Sequence, residues 1–368
     1  MKVLVVDDTV VYRKMVSDAL ATLPGVEVVG SAANGKIALA LILELKPDLV
    51  TLDIEMPEMN GIEVLEAIRD RGISVGIIVL SALTLKGGKL TIKALELGAF
   101  DFITKPAKAN MEESLKVLKE SLAPLIRAYA QRKEVRTILS GKAVPAAPPP
   151  PLATPERPGV ETVASRMQAI ARASKPELVA IGISTGGPNA LAEMLPKLPA
   201  KLGVPILIVQ HMPVLFTQSL AESLNNKCPF TVKEAKDNEF IIPNTVYIAP
   251  GGSQMKLLKS PGGDKLINIT DDPPENHCKP SVDYLFRSLA HNFPGKSLGV
   301  IMTGMGNDGV MGLRLMKRHG GIVIAQDETT CTVFGMPKEA ITAGVVDIVS
   351  PLHELAGVIT KAVRGYPA

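Results

Sequence analysis

The sequence predicts an α/β protein of two domains, because short apolar strands and amphipathic helices alternate twice along its 368 residues. Between the two alternating regions, seven of the 14 residues from Pro145 to Pro158 are proline. Such a stretch favours extended polyproline geometry and acts as a semi-rigid spacer; a docking site for a proline-binding partner is the alternative. We therefore expect a first domain over residues 1–130, a linker over 131–174 and a second domain over 175–368.

The first domain is predicted to be flavodoxin-like, with five parallel strands and five helices. Helices fit between the strands; residues 36–45, for example, place their apolar side chains on one face. The fifth helix is expected to run from about Asn110 towards Arg132, with a kink or break at Pro124. The strands are predicted at Lys2–Val6, Val26–Ala32, Leu49–Asp53, Gly76–Ser81 and Phe100–Thr104.

The second domain repeats the alternation, which predicts a doubly wound, mostly parallel sheet there as well. Its apolar strands are expected around residues 178–183, 205–209, 298–302, 321–325 and 345–349. Ser184, His211 and Asp308 follow the first three of these strands. Because parallel strands point their carboxyl ends at one crevice, the three side chains are expected to converge there.

The composition argues against several classes of protein. No apolar run approaches the ~18 residues of a membrane span, and the N-terminal apolar segment is too short for a signal peptide. We therefore expect a cytoplasmic protein without membrane insertion. Three widely spaced cysteines without a CxxC motif disfavour disulfides or zinc, and His277-Cys278 is interpreted as an ordinary loop. Residues 175–368 carry 18 Lys/Arg against 17 Asp/Glu, which disfavours nucleic-acid binding.

Three carboxylates are predicted to meet at one end of the first sheet, because Asp7 and Asp8 follow its first strand and Asp53 ends its third. An oxygen-lined acidic site of this kind suits Mg²⁺. Ser81 and Lys105 bring a hydroxyl and an ammonium to the same place. The pattern indicates phosphoryl transfer onto Asp53, with the three carboxylates as the metal site and Ser81 and Lys105 contacting phosphate oxygens. Alternatively, the first two aspartates and Ser81 are ordinary caps.

Ser184, His211 and Asp308 are the residue types that acyl transfer requires: a nucleophile, a base and an acid that orients the base. Glycines two residues before and after Ser184 resemble a nucleophile elbow, and the backbone N–H of Thr185 is a candidate oxyanion donor. The glycines would also suit a phosphate-binding loop, although no lysine follows them. The order serine, histidine, aspartate differs from that of α/β-hydrolases. Each residue could instead cap a helix or shape a loop.

The first domain resembles the receiver domains of bacterial two-component response regulators over about residues 1–130. The matching segments are residues 7–8, 52–57, 60–61, 80–82 and 105–106. The resemblance implies phosphorylation of Asp53 by a sensor histidine kinase and a switch that involves Ser81 and Phe102. It also implies a cis bond between Lys105 and Pro106.

The whole chain resembles chemotaxis protein-glutamate methylesterases, the CheB family, through residues 182–188, 210–213, 247–252, 278–283 and 302–309. The resemblance implies Ser184 as nucleophile, His211 as general base and Asp308 as its orienting acid, with Thr185 and Met305 beside the oxyanion site. It implies a phosphorylation-activated serine hydrolase that acts in chemotactic adaptation. The substrates would be glutamate methyl esters and glutamines in the cytoplasmic domain of chemoreceptors, with no cofactor for the esterase itself.

Three other functions stay open at this point. The second domain could be a scaffold that docks to receptors or to the kinase without catalysis. It could hydrolyse a different acyl substrate, because a triad determines the chemistry and not the substrate. A DNA-binding response regulator is disfavoured, because residues 175–368 are nearly neutral in charge and several times as long as a helix-turn-helix module.

Overall fold

The computed structural model of the chain describes residues 1–106, 110–139 and 175–364. The proline-rich segment from Pro145 to Pro158 lies outside the described residues. Each domain is built around its own parallel sheet, so the predicted α/β architecture with two sheets is confirmed. No helix in the described part of the chain combines the length and the apolar character that crossing a bilayer requires.

The first sheet has the strand order β2-β1-β3-β4-β5, and its strand pairs are parallel. Its central strands are apolar runs buried on both faces; residues 3–6 are 0% exposed. Asn60 begins α3 with a capping box, in which its side chain accepts backbone N–H groups and Glu63 bonds back to it. The elements are β1 (Lys2–Val6), α1 (Val10–Ala21), β2 (Glu27–Ala32), α2 (Gly35–Leu45), β3 (Leu49–Asp53), α3 (Gly61–Asp70), β4 (Gly76–Ser81), α4 (Leu85–Glu96), β5 (Asp101–Thr104) and α5 (Met111–Leu139).

Helix α5 is longer than predicted, since it continues through Pro124 without a break and past Arg132 to Leu139. A proline inside a helix removes one backbone hydrogen bond and costs about 3 kcal/mol. Leu122, Leu125 and Ile126 flank it and are all buried against the first domain. Their burial offsets the lost bond, because each buried aliphatic side chain contributes about 1.5–3 kcal/mol.

The second domain contains seven parallel strands in the order β15-β14-β13-β6-β7-β10-β8. Strands β9, β11 and β12 form a separate antiparallel sheet. The elements are β6 (Leu178–Ile183), α6 (Gly187–Met194), a 3₁₀ turn (Leu195–Lys197), β7 (Ile206–Gln210), α7 (Phe216–Asn225), β8 (Thr231–Glu234), β9 (Glu239–Phe240), β10 (Thr245–Ile248), β11 (Gln254–Lys259), β12 (Lys265–Thr270), α8 (Val282–Asn292), β13 (Ser297–Ile301), α9 (Val310–Arg318), β14 (Ile322–Gln326), α10 (Met336–Thr342), β15 (Ile348–Ser350) and α11 (Leu352–Arg364).

One backbone prediction is wrong. Among the described residues, the cis peptide bond is that between Lys279 and Pro280, and Lys105–Pro106 is trans. The trans form is the intrinsically favoured one, by about 0.5–1 kcal/mol. In this arrangement the Pro106 carbonyl accepts a hydrogen bond of 2.9 Å from the Tyr12 hydroxyl.

Candidate active site and phosphorylation site

The order of strands in the second sheet brings the three predicted catalytic segments together. Strand β6 lies between β13 and β7, and its register pairs Ile183 with Gln210 on one side and Gly182 with Ile301 on the other. Ser184 and His211 therefore leave neighbouring strand ends about 5 Å apart. Residues 302–309, which carry Asp308, leave the strand on the opposite side of β6.

His211 and Asp308 are in direct contact, with 2.8 Å between Nε2 and Oδ2. Asp308 is only 3% exposed. Its oxygens also accept hydrogen bonds from the side chains of Asn276 and Ser281, at 2.9 Å each. The backbone N–H groups of residues 282 and 283 donate to it at 2.7 and 3.0 Å. These donors hold the carboxylate in one orientation towards the imidazole.

The electrostatics of this pair favour the charged forms of both partners. Burial opposes ionisation of Asp308, but the hydrogen bond from His211 and the other donors outweigh it and hold the Asp308 pKa at about 2. Burial likewise opposes protonation of His211, but the Asp308 carboxylate and, after it, Cys278 raise the His211 pKa to about 9. The resting crevice therefore holds an imidazolium next to a carboxylate at neutral pH.

Ser184 lies in a tight turn between β6 and α6. Its backbone N–H donates to Thr303, and its carbonyl accepts from the Gly187 N–H and from the Gln210 side chain, at 3.0, 2.8 and 3.0 Å. Only glycine fits at position 304, because a Cβ there would lie 2.7 Å from the Ser184 Cβ. The loop that carries Gly304 and the turn that carries Ser184 are thus in close contact.

The second ring nitrogen of His211 faces Cys278 in this structure. The Nδ1 atom lies 3.7 Å from the Cys278 Sγ, and within the described ranges the Ser184 hydroxyl makes no hydrogen bond. Nucleophile–base hydrogen bonds are often long or poorly aligned before substrate binds. The structure therefore joins His211 to Asp308 directly and places Ser184 beside them.

Thr185 and Met305, the residues predicted beside the oxyanion site, flank Ser184. Thr185 is 8% exposed, and its carbonyl accepts from the Thr303 hydroxyl at 3.0 Å. Over residues 1–106, 110–139 and 175–364, neither the Thr185 nor the Met305 backbone N–H donates to another protein group. Two unpaired N–H groups beside a nucleophile are what an oxyanion requires.

The acidic pocket of the first domain assembles largely as predicted. Asp7, Asp8 and Asp53 each offer a carboxylate oxygen, and these atoms lie within 4.8 Å of one another. The Lys105 ammonium lies 2.7 Å from both Asp7 and Asp53. Burial raises the Asp53 pKa to about 6, against the opposing effect of Lys105. The Ser81 hydroxyl is buried and its nearest acceptors are the Gly87 and Ala82 carbonyls, at 3.3 and 3.4 Å.

The residues of this pocket fit Mg²⁺. All of the candidate ligand atoms are carboxylate oxygens, which a hard cation prefers, and two of the three residues are buried. One ammonium between two carboxylates leaves net negative charge for a cation to neutralise. When bound, the ion would be held by Asp7, Asp8 and Asp53, and it would neutralise charge on an incoming phosphoryl group.

The first domain packs onto the crevice of the second through its β5 strand and α4 helix. The Phe102 ring stacks on Phe216, the first residue of α7, with 4.9 Å between centroids and 5° between planes. Asp101 is partly buried, and desolvation raises its pKa to about 6, while the Thr185 hydroxyl lies close enough to stabilise the carboxylate. Ion pairs surround these contacts: Lys89 with Glu222 at 3.0 Å and Glu96 with Lys227 at 2.6 Å.

Several residues of the site were not predicted from sequence. Asn276 and Ser281 bind Asp308, Gln210 links the backbones of Ser184 and His211, and Cys278 contacts His211. Cys278 lies in a loop, as expected, but this loop contacts His211. The signal that could have indicated a role was its place in the segment 278–283, which resembles the methylesterase family.

Comparison with known proteins finds relatives of both domains. Residues 179–359 match the family described as CheB methylesterase, and residues 3–116 match the response regulator receiver domain. A protein of Desulfotalea psychrophila named protein-glutamate methylesterase/protein-glutamine glutaminase is 52% identical over 100% of this chain and 99% of its own length. One of the same name from a Nocardioides species is 43% identical over 98% of this chain and 94% of its own. The crystal structure of the Thermotoga maritima CheB methylesterase catalytic domain is 41% identical, with a TM-score of 0.50, over 51% of this chain and 99% of that one.

Proposed function

We propose that this chain, which belongs to the CheB methylesterase family and is a protein-glutamate methylesterase/protein-glutamine glutaminase with a receiver domain, works through Ser184, His211 and Asp308. The observation that carries the proposal is the His211–Asp308 pair beside Ser184. Four further donors orient the carboxylate of that pair. A histidine held in this way can accept a proton only through its other nitrogen, Nδ1.

In the acylation step, the Ser184 hydroxyl attacks the carbonyl carbon of a glutamate methyl ester while His211 Nδ1 takes its proton. The oxyanion that forms is stabilised by the N–H groups of Thr185 and Met305. Loss of one such donor typically costs about 3 kcal/mol of transition-state stabilisation. His211 then protonates the leaving methoxide, methanol departs, and an acyl-enzyme is left on Ser184.

In the deacylation step, His211 takes a proton from water, and the resulting attack on the acyl-enzyme releases a free glutamate. With a glutamine side chain the same steps release ammonia instead of methanol. Asp308 stays ionised throughout, because its role is to orient His211 and to stabilise the imidazolium. The substrate is a methylated chemoreceptor cytoplasmic domain, and its demethylation serves adaptation in chemotaxis.

Control by the first domain follows from the packing of the two domains. The receiver contacts the crevice at Thr185 through Asp101 and the start of α7 through Phe102. Phosphorylation of Asp53 by a sensor histidine kinase, with Mg²⁺ bound, adds negative charge beside Lys105. Ser81 and Phe102 are the residues that change conformation in response. The unphosphorylated receiver covers the crevice, and phosphorylation weakens that contact.

The test is methanol release from methylated receptor membranes, with and without acetyl phosphate and Mg²⁺. We expect release to rise with the phosphodonor and to fall by on the order of 10⁴-fold or more in Ser184→Ala. Phosphorylation of Asp53 in Ser184→Ala is the control that this variant is folded. Full methanol release by that variant would overturn the assignment of the nucleophile.

A second variant separates regulation from catalysis. Asp53→Asn should keep the basal methanol release and lose the response to acetyl phosphate, because its amide cannot accept the phosphoryl group. A response of normal size in Asp53→Asn would place the switch elsewhere.

A further inference from the structure

The Cys278 thiol, the His211 imidazole and the Asp308 carboxylate form a continuous array. Sγ lies 3.7 Å from Nδ1 of the ring, and Nε2 on its other side lies 2.8 Å from Asp308. This is the order of groups that activates cysteine nucleophiles: thiol, imidazole, carboxylate. The mechanism of ester hydrolysis uses the last two of these groups and leaves the thiol without a role.

The position of Cys278 makes it reachable by small molecules. It lies in a turn of residues 275–278 at the mouth of the crevice and is partly exposed. Its thiol can also donate to the Asn276 carbonyl, 3.4 Å away. A reactive thiol requires both access and a neighbouring group that can exchange a proton with it. His211 Nδ1, 3.7 Å from Sγ, is that group.

The other two cysteines lie in different surroundings. Burial raises the pKa of Cys228 to about 11, against a weaker opposing effect of Lys227. Burial, together with the Asp327 carboxylate, also raises the pKa of Cys331. Both are therefore poor sources of thiolate at neutral pH, and they serve as matched controls.

We propose that Cys278 is a modification site at which small thiol-reactive electrophiles, hydroperoxides among them, switch off the hydrolase crevice. The Cys278 thiolate attacks one peroxide oxygen and forms an S–O bond as the O–O bond breaks. The departing hydroxide takes a proton from the His211 imidazolium and leaves as water. Sulfur is oxidised to a sulfenic acid, and the peroxide is reduced. A small dithiol restores the thiol by way of a mixed disulfide.

The loss of hydrolysis follows from which nitrogen the modified sulfur contacts. Proton transfer from Ser184 needs Nδ1 of His211, because Nε2 is engaged with Asp308. An added oxygen or carbamidomethyl group on Sγ occupies the space in front of Nδ1. This consequence rests on the proposed esterase function, whereas the reactivity of the thiol does not.

The first experiment follows activity in the full-length protein with acetyl phosphate and Mg²⁺, treated with iodoacetamide or with hydrogen peroxide. Each variant is compared with its own untreated sample. We expect wild type, Cys228→Ser and Cys331→Ser to lose at least tenfold of their methanol release, and Cys278→Ser to keep most of it. Dithiothreitol should restore the peroxide-treated proteins. Equal loss in Cys278→Ser would overturn the proposal.

The second experiment follows the label and needs no esterase activity. Peptide mass spectrometry measures the rate of carbamidomethylation at each cysteine in wild type and in His211→Gln. We expect Cys278 to react first in wild type and at least tenfold more slowly in His211→Gln. Equal rates in the two proteins, or faster labelling of Cys228 or Cys331, would refute the thiol–imidazole array even if the esterase assignment held.

Discussion

Replacing Asp308 by asparagine tests the electrostatics of the candidate triad. Burial lowers the His211 pKa, but the Asp308 carboxylate and Cys278 together outweigh it and raise the pKa to about 9. The ordinary value is about 6.5, and the difference corresponds to roughly 3.4 kcal/mol in favour of the imidazolium, since a tenfold change is about 1.4 kcal/mol. With asparagine, Cys278 alone still opposes the effect of burial, so the His211 pKa should fall well below 9.

The assay is NMR titration of the His211 ring Cε1–H signal between pH 5 and pH 10, assigned by its loss in His211→Gln. Asp283→Asn is the matched control, because it removes a neighbouring carboxylate that bonds to Gly312 and Asn276 rather than to His211. We expect a small change in the control. A midpoint that stays near 9 in Asp308→Asn, or an equal fall in Asp283→Asn, would refute the reasoning.

The same pair sets a pH dependence of activity and of stability. In the proposed mechanism a neutral His211 is the base, so kcat/KM should rise as the pH rises through about 9 in wild type. The contribution of the raised pKa to the free energy of unfolding is complete below about 6.5 and is lost as the pH rises through about 9. Urea denaturation at pH 6 and pH 9.5 should show a loss of at most roughly 3.4 kcal/mol in wild type and a smaller one in Asp308→Asn.

Three further predictions concern the domain interface and the receiver core. Gly88→Leu should raise methanol release without a phosphodonor, because it pushes α4 away from α7. Even a Cβ at this position of α4 would lie 2.8 Å from the Ser219 side chain of α7. Glu96→Lys should also raise the basal methanol release, because it breaks the 2.6 Å ion pair with Lys227. The double variant Glu96→Lys/Lys227→Glu should restore the pair and the low basal release. If the two substitutions instead raise the release additively, the prediction is wrong. Gly76→Ala should lower the free energy of unfolding by about 1–3 kcal/mol in urea, since its Cβ would overlap the Tyr129 ring.

Much of the fold could be predicted from sequence, because the inner strands of the first sheet are short apolar runs. Strands β1, β3 and β4 lie where they were predicted, to the residue. The meeting of the segments that carry Ser184 and His211 was predicted for the same reason, since strand ends share one edge. The bounds of β2 and β5 differ by one residue at their N-terminal ends.

What sequence did not predict depends on contacts between distant loops. Asn276 contacts Asp308 from the turn of residues 275–278, and Ser281 contacts it from the start of α8; no local pattern signals these contacts. Cys278 was interpreted as part of an ordinary loop because it lacks metal-ligand spacing, and that criterion does not detect its contact with His211. The short strands β8 and β9 lack a clear alternation of apolar and polar residues, and pairing with neighbouring strands determines their conformation.

Strand β5 stands at the edge of the first sheet. An edge strand leaves a row of backbone groups free to pair with another chain, and proteins usually shield such rows. Here Asp101 and Phe102 of β5 lie against the second domain, where the Phe102 ring stacks on the buried Phe216. Movement of the domains apart would uncover an aromatic pair next to that edge. The contact with the second domain therefore also shields this edge from pairing with another chain.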